Sequence, residues 1–211
     1  MTKPEPFLID AGSAEKRHAP ATLRNRDAIA DVLAGILPPA GTILEIASGT
    51  GEHIVHFAQR FPHLAWQPTD YSDAALPSIA AWVEEAGVPN VRAPVRLDAS
   101  ADTWPVEHAD AILCINMIHI SPWSATEGLI AGAGRLLPPG APLYLYGPFV
   151  RSAVDTAPSN LAFDQSLKER DPAWGLRDLA DVTALATGHG LVLDKVIEMP
   201  ANNLSVVFRR R

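Results

Sequence analysis

Acidic and side-chain-free residues gather at one bend in TILEIASGTGEHIVHFAQRF, Thr42 to Phe61. Glu45 precedes the bend, Gly49 and Gly51 form it and Glu52 follows it. Paired glycines let the backbone approach a ligand closely, and a helix that starts there points free N–H groups at it. Two carboxylates beside such a bend disfavour a pyrophosphate and suit a ligand that carries an ammonium group. A dinucleotide fingerprint would place a third small residue where Ile54 stands, and a phosphate loop would end in Gly-Lys-Ser/Thr, which is absent. Asp70, in WQPTD, lies 19 residues after Gly51. That is the interval of an acid that accepts hydrogen bonds from a ribose diol. Asp98, in VRLDAS, is placed to receive an adenine amine, with the Ala99 backbone beside it. An amino group, a diol and an adenine, joined through a cationic sulfur, make up S-adenosylmethionine, which is the expected cofactor.

The elements that must position these residues follow from periodicity. Apolar runs at Ile43 to Ala47, Leu64 to Pro68, Val91 to Leu97, Ala109 to Ile115, Leu143 to Gly147, Leu191 to Glu198 and Leu204 to Phe208 predict seven strands. Helical spacing is predicted from Leu23 to Leu37 and over Glu52 to Arg60. It recurs over Ala74 to Ala86 with Asp73 as N-cap, and over Ala125 to Leu137 with a Ser124/Glu127 capping box. Arg177 to Thr187 completes the set. Strands alternating with helices predict an α/β fold: a doubly wound, mostly parallel seven-stranded, Rossmann-like sheet whose last two strands form an antiparallel edge hairpin. Each acid then lies at the carboxyl end of its strand, where open α/β sheets bind ligands. Residues 148–176 interrupt the rhythm as a cap-like insertion, with a short helix over Ser159 to Arg170, and residues 1–21 read as a flexible arm ahead of a single domain over 22–211.

The chain has 211 residues, 47% hydrophobic, enough for one sizeable core, and a formal net charge of −7, which argues against a nucleic-acid surface. Its one cysteine, Cys114, lies in an apolar run, so no disulfide forms within the chain. No signal-peptide core or run of eighteen apolar residues appears, and the expectation is a cytoplasmic protein without membrane segments.

The strings RNRD, LEIASGTGEH, WQPTD, APVRLDAS, LCINMIHISPW, LYGPF, DPAWGLRD and MPANN run from Arg24 nearly to the C-terminus. In them the chain resembles the methyltransferase-like proteins grouped as domain of unknown function 938, among them methyltransferase-like protein 26. The resemblance implies a class I S-adenosylmethionine-dependent methyltransferase fold and names no substrate. Against the class pattern of acid, apolar, Gly-x-Gly-x-Gly, Ala47 replaces the first glycine. The cofactor set is therefore Glu45, Ala47, Gly49, Gly51, His53, Asp70, Asp98, Ala99, Asn116 and Met117, with His53 expected at the methionyl carboxylate.

Methyl transfer needs collinear atoms in a dry site and no metal. Asn116 is followed by Met117-Ile118-His119, not by the Asn-Pro-Pro-aromatic of enzymes that methylate base or glutamine amines, which points to a different small-molecule acceptor. His119 has the chemistry to deprotonate a hydroxyl, amine or carboxyl group; Asn116 and Tyr146 complete the catalytic set, and Gly147 faces the same crevice. Arg24, Asn25, Trp123, Asn202 and Asn203 are candidate substrate contacts; Asn202 and Asn203 also fit ordinary turn chemistry. Trp66 and Trp174 are candidate pocket walls, and Arg177 reads as structural. A non-catalytic S-adenosylmethionine-binding or scaffolding protein and a nucleotide-dependent oxidoreductase are the competing functions; the absent third glycine argues against the latter.

Overall fold

The computed structural model describes residues 16–211 and the short strand β1 (Ile9–Asp10), which pairs antiparallel with β2 (Arg17–His18). Then follow α1 (Pro20–Ala34), β3 (Thr42–Ile46), α2 (Glu52–Arg60), β4 (Ala65–Asp70), α3 (Ala75–Ala86), β5 (Val95–Arg96), β6 (Ala111–Ile115), α4 (Trp123–Leu136) and β7 (Pro142–Gly147). The chain closes with β8 (Phe149–Val150), α5 (Pro158–Arg170), β9 (Arg177–Asp178), α6 (Leu179–Gly188), β10 (Leu191–Met199), a 3-10 turn over Pro200–Asn202 and β11 (Asn203–Arg210).

The seven expected strands form one sheet in the order β10-β11-β7-β6-β3-β4-β5, in which β11 alone runs opposite to the other six. The last strand therefore lies inside the sheet, and β10 is the edge. The third expected strand shortens to Val95–Arg96. Its start survives as a bridge between Val91 and Trp66, and Pro94, which has no N–H to donate, breaks the ladder between them.

Alternation along each strand divides the core. Leu44, Ile46, Ile112, Cys114, Leu143 and Leu145 pack with α4 and α6, while Ile43, Leu113, Ile115, Tyr144 and Tyr146 pack with α1 and α2. Glu45 shares the parity of Ile43 and so belongs to the α1/α2 face. The chain crosses from β5 back to β6 beside β3, so the strand order reverses between β3 and β6. That reversal opens a crevice at their carboxyl ends. No helix of the described residues is long and apolar enough to cross a membrane.

Several local expectations are corrected. Helix α3 starts at Ala75 with no side-chain cap, and Asp73 pairs with Arg96 at 3.0 Å instead. Helix α4 starts at Trp123 behind Pro122, two residues too early for a Ser124/Glu127 box. Arg177 and Asp178 form β9, which pairs with β8 and closes the base of the insertion. Asp178 then caps α6 by accepting from Ala180 N–H at 2.7 Å. Of the expected arm, residues 1–8 and 11–15 lie outside the described residues, but 16–21 are tied to the body: Ser78 accepts Arg17 N–H at 2.9 Å and Trp82 donates to Arg17 O at 2.8 Å.

Candidate active site

Strands β3 and β6 are each followed by a left-handed residue, Ala47 at φ 58° and Asn116 at φ 62°. Such a conformation costs a non-glycine residue about 1–2 kcal/mol, least for Asn. Ala47 occupies a glycine conformation with a methyl group in place. Ala47→Gly is accordingly expected to leave stability unchanged or raise it by up to about 1 kcal/mol, read from the urea midpoint.

The loop after β3 is bolted to β4. Ser48 N–H donates to Thr69 O at 2.8 Å, and the Thr69 hydroxyl donates to Glu45 O at 2.7 Å. Gly49 N–H donates to Asp70 Oδ2 at 2.8 Å, and Ser72 N–H donates to Oδ1 at 2.9 Å. Asp70 is thereby fixed at the end of β4. The two glycines differ in role. A β-carbon on Gly49 would meet nothing within 4 Å, so the loop there faces open space, whereas one on Gly51 would lie 2.7 Å from the Ile79 α-carbon. Gly51 therefore serves close packing of the α2 start on α3. Asp70→Ala removes the loop anchor together with the expected diol acceptor; S-adenosylhomocysteine affinity is expected to fall by roughly 1.5–3 kcal/mol, measured by calorimetry.

Glu45 is 2% exposed, and its Oε2 has no hydrogen-bond partner. Burial pushes its carboxyl up to about 7; the Ser48 hydroxyl opposes this and the Asp70 charge adds to it. An unpaired buried carboxylate oxygen costs free energy unless a cation or donor meets it.

Glu52 is taken from the expected ammonium site. It is buried, accepts Ala19 N–H at 2.6 Å and the Thr50 hydroxyl at 2.9 Å, and has His18 Nδ1 2.5 Å away. It anchors residues 18–19 to the start of α2. His53 is likewise not a free cation for a carboxylate. Its Nε2 lies 2.8 Å from Asn25 Oδ1, and burial, with the charges of His56 and Arg26, lowers it to about 3. It is neutral, donates to Asn25 and stacks on Phe57.

On the far side of the crevice, Asn116 N–H donates to Tyr146 O at 2.8 Å. Met117 is buried, and its carbonyl and sulfur both receive the Ser121 hydroxyl. His119 is 3% exposed, its Nδ1 has no partner, and burial with the Arg177 charge lowers it to about 3. Tyr146 is buried on the α1 face; burial raises its hydroxyl and neighbouring Asn25 opposes the rise. Asp98 is exposed, with Oδ1 accepting both the N–H and hydroxyl of Ser100, while Ala99 is buried.

Four expected contacts have other partners. Asn202 bonds Ser159 at 3.2 Å and receives Asn160 on its carbonyl at 2.9 Å, which ties its turn to α5. Asn203 donates back to Pro200 O at 3.1 Å. Trp123 lies under the Arg177 guanidinium at 5.7 Å, in a surface pocket of about 510 Å³ with Leu176, Asp178, Asp181 and Ala184. Trp66 is fully buried against Phe57 and Phe61. Arg24 is exposed on α1, while Asn25, next to it, is buried. Burial also pushes the Cys114 thiol up, leaving it inert. Among the described residues, no group of three or more His, Cys, Asp and Glu side chains could hold a metal ion. Sequence reading missed Ser48, Thr69 and Phe163, whose types carry no signal of their own.

The sequence model of a family described as "Protein of unknown function (DUF938)" matches residues 16–210. The chain belongs to this family. Among solved structures it is similar to an O-methyltransferase family protein from Burkholderia thailandensis, at 16% identity and TM-score 0.76 over 90% of this chain and 57% of that one. It is also similar to the mitomycin 7-O-methyltransferase MmcR, at 17% identity and TM-score 0.78 over 92% and 55%. CalO1, a methyltransferase in calicheamicin biosynthesis in its SAH-bound form, matches at 19% and TM-score 0.73 over 90% and 54%. The DUF938 chain thus spans little more than half the length of these proteins. At such identities the likeness establishes the fold, that of Rossmann-like methyltransferases.

Proposed function

We propose that this chain is an S-adenosylmethionine-dependent methyltransferase acting on the hydroxyl of a small molecule. The observation that carries the reading is the unpaired, buried Oε2 of Glu45 at the strand reversal, beside a loop whose Gly49 faces open space. The residues fit the cofactor: Glu45 would take its ammonium group, Asp70 its ribose diol and the Asp98–Ala99 turn its adenine. The resemblance in fold to O-methyltransferases, one of them described in complex with apigenin, supports an oxygen acceptor.

When bound, S-adenosylmethionine supplies a methyl group on a cationic sulfur, whose charge is lost on transfer. His119, neutral and buried, offers Nδ1 to the proton of the acceptor hydroxyl. A proton arriving there restores a positive charge to the crevice, so the imidazole is protonated without a change in the crevice's total charge. Asn116 and Tyr146 line the strand ends beside it and orient the acceptor.

The test is incubation of the isolated protein with methyl-labelled S-adenosylmethionine and a deproteinised small-molecule extract. Label in an organic-soluble product together with S-adenosylhomocysteine is the expected result. Cofactor binding with no transfer across broad extracts would support the competing reading, a non-catalytic binding protein.

A further inference from the structure

The loop that carries His119 is held by a residue outside it. Arg177 of β9 donates Nε–H to Ile118 O at 2.9 Å and Nη2–H to Ser121 O at 2.6 Å, with a third bond to Ala173 O at 3.0 Å. The two loop carbonyls bracket His119. From the same end of the insertion, Gly175 N–H donates to the carbonyl of His119 itself at 3.0 Å.

The ring is confined as well. Phe163 of α5 meets the imidazole edge-on at 5.7 Å. Below it, a β-carbon on Gly147 would lie 2.9 Å from Cε1 and 3.0 Å from Nδ1. Main chain and ring are thus both fixed, while Nδ1 is left without a partner. Leaving a buried nitrogen unpaired costs about 1–3 kcal/mol, an arrangement expected of a group aimed at a ligand. Three of the Arg177 N–H groups, on Nε and Nη2, are spent on carbonyls, and its guanidinium carbon lies 5.7 Å from the centre of the Trp123 ring. The other charges at this junction are Asp178 and Asp181, which line the Trp123 pocket with Arg177, and Asp164 and Lys168 of α5, paired with each other, of which Asp164 also accepts Leu176 N–H at 2.8 Å.

We infer that Arg177 is the positioning residue for His119: its forked donors tie the Met117–Ser121 loop to the base of the insertion, so that the imidazole meets the acceptor only when the insertion is seated. The inference rests on the reading of His119 as the proton acceptor. A planar fork bridges two carbonyls, which a lysine ammonium cannot reproduce at the same reach.

The experiment compares Arg177→Lys and Arg177→Gln in the full chain. S-adenosylhomocysteine affinity, which also reports folding, is expected to stay within about twofold. Label transfer into the deproteinised extract is expected to fall about a hundredfold in both, the scale of a small misplacement of a catalytic group. The His119 ring signals, followed by NMR with S-adenosylhomocysteine bound, are expected to shift in both variants, and in Arg177→Gln to titrate at higher pH than in the unmutated protein. Loss of the Arg177 charge alone accounts for that rise, whereas a merely structural arginine would leave the transfer rate and the His119 signals unchanged in the charge-conserving Arg177→Lys. Arg177→Lys with unchanged His119 signals and full transfer would overturn the inference. If neither variant folds, the Arg177 Nε–H of the unmutated protein decides: slow exchange with solvent supports the clamp, and exchange as fast as a free guanidinium overturns it. His119→Ala with full transfer defeats the reading of His119 instead, and is a separate result.

Discussion

Glu45→Gln is expected to lose S-adenosylhomocysteine binding and at the same time to stabilise the ligand-free protein at pH 8. The two effects share one cause. The Glu45 carboxyl is buried with an unpaired oxygen and is raised from 4.5 to about 7. The folded state therefore holds its proton more tightly than the unfolded chain does. The stability this contributes is full below about pH 4.5 and is lost as pH rises towards 7, by about 3 kcal/mol if the whole shift is expressed. An amide carries no such charge. After the cost of its own unpaired atoms, Glu45→Gln is expected to gain about 1–3 kcal/mol at pH 8 and almost nothing at pH 4.5, read from urea midpoints at the two values. The same amide cannot pair with an ammonium group, so affinity is expected to drop by roughly 1.5–3 kcal/mol, about ten- to 150-fold. A variant that binds normally, or is destabilised equally at both pH values, contradicts the role given to Glu45.

His119→Ala is expected to lower label transfer by about 10²- to 10⁴-fold, the range for a positioned general base, while cofactor affinity stays within about twofold. The pH dependence separates the two residues. His119 is lowered to about 3, so the rate at saturating cofactor should show no loss on the acid side between about pH 5.5 and 7. Cofactor affinity should instead weaken below 7, where Glu45 takes up its proton, and again above about 8, where an α-amino group loses its own. An acid limb near 6.5 in the saturated rate would show that His119 titrates as an ordinary exposed histidine, against its burial.

Much of this architecture is legible in the chain because alternation and helical spacing are properties of single segments. Ile43, Leu44 and Ile46 report a strand buried on both faces, and the change to helical spacing after Gly51 marks α2 at its observed bounds. What is not legible depends on partners distant in sequence. Nothing near Glu52 tells that Ala19, 33 residues earlier, will consume its carboxylate, or that His53 will spend its N–H on Asn25. The opposite fates of Glu45 and Glu52 follow from parity and place: one is carried by β3 to the strand reversal, the other begins a helix that the segment over 16–19 crosses. Caps were misread at Asp73 and Ser124 for a local reason. Pro122 starts α4 early, and Asp73 finds Arg96 across the sheet end. Asn202 and Asn203 fit turn chemistry in the sequence, and that is the role they take.

The most direct test is calorimetric titration of S-adenosylhomocysteine into the intact protein at pH 7 in two buffers of different ionisation enthalpy. Saturable binding at one site is predicted, with a net release of roughly 0.3–0.5 proton per ligand as Glu45 ionises to meet the ammonium group, and with no such release from Glu45→Gln. An absence of binding, or binding with no proton released at any pH between 6 and 8, would contradict the account.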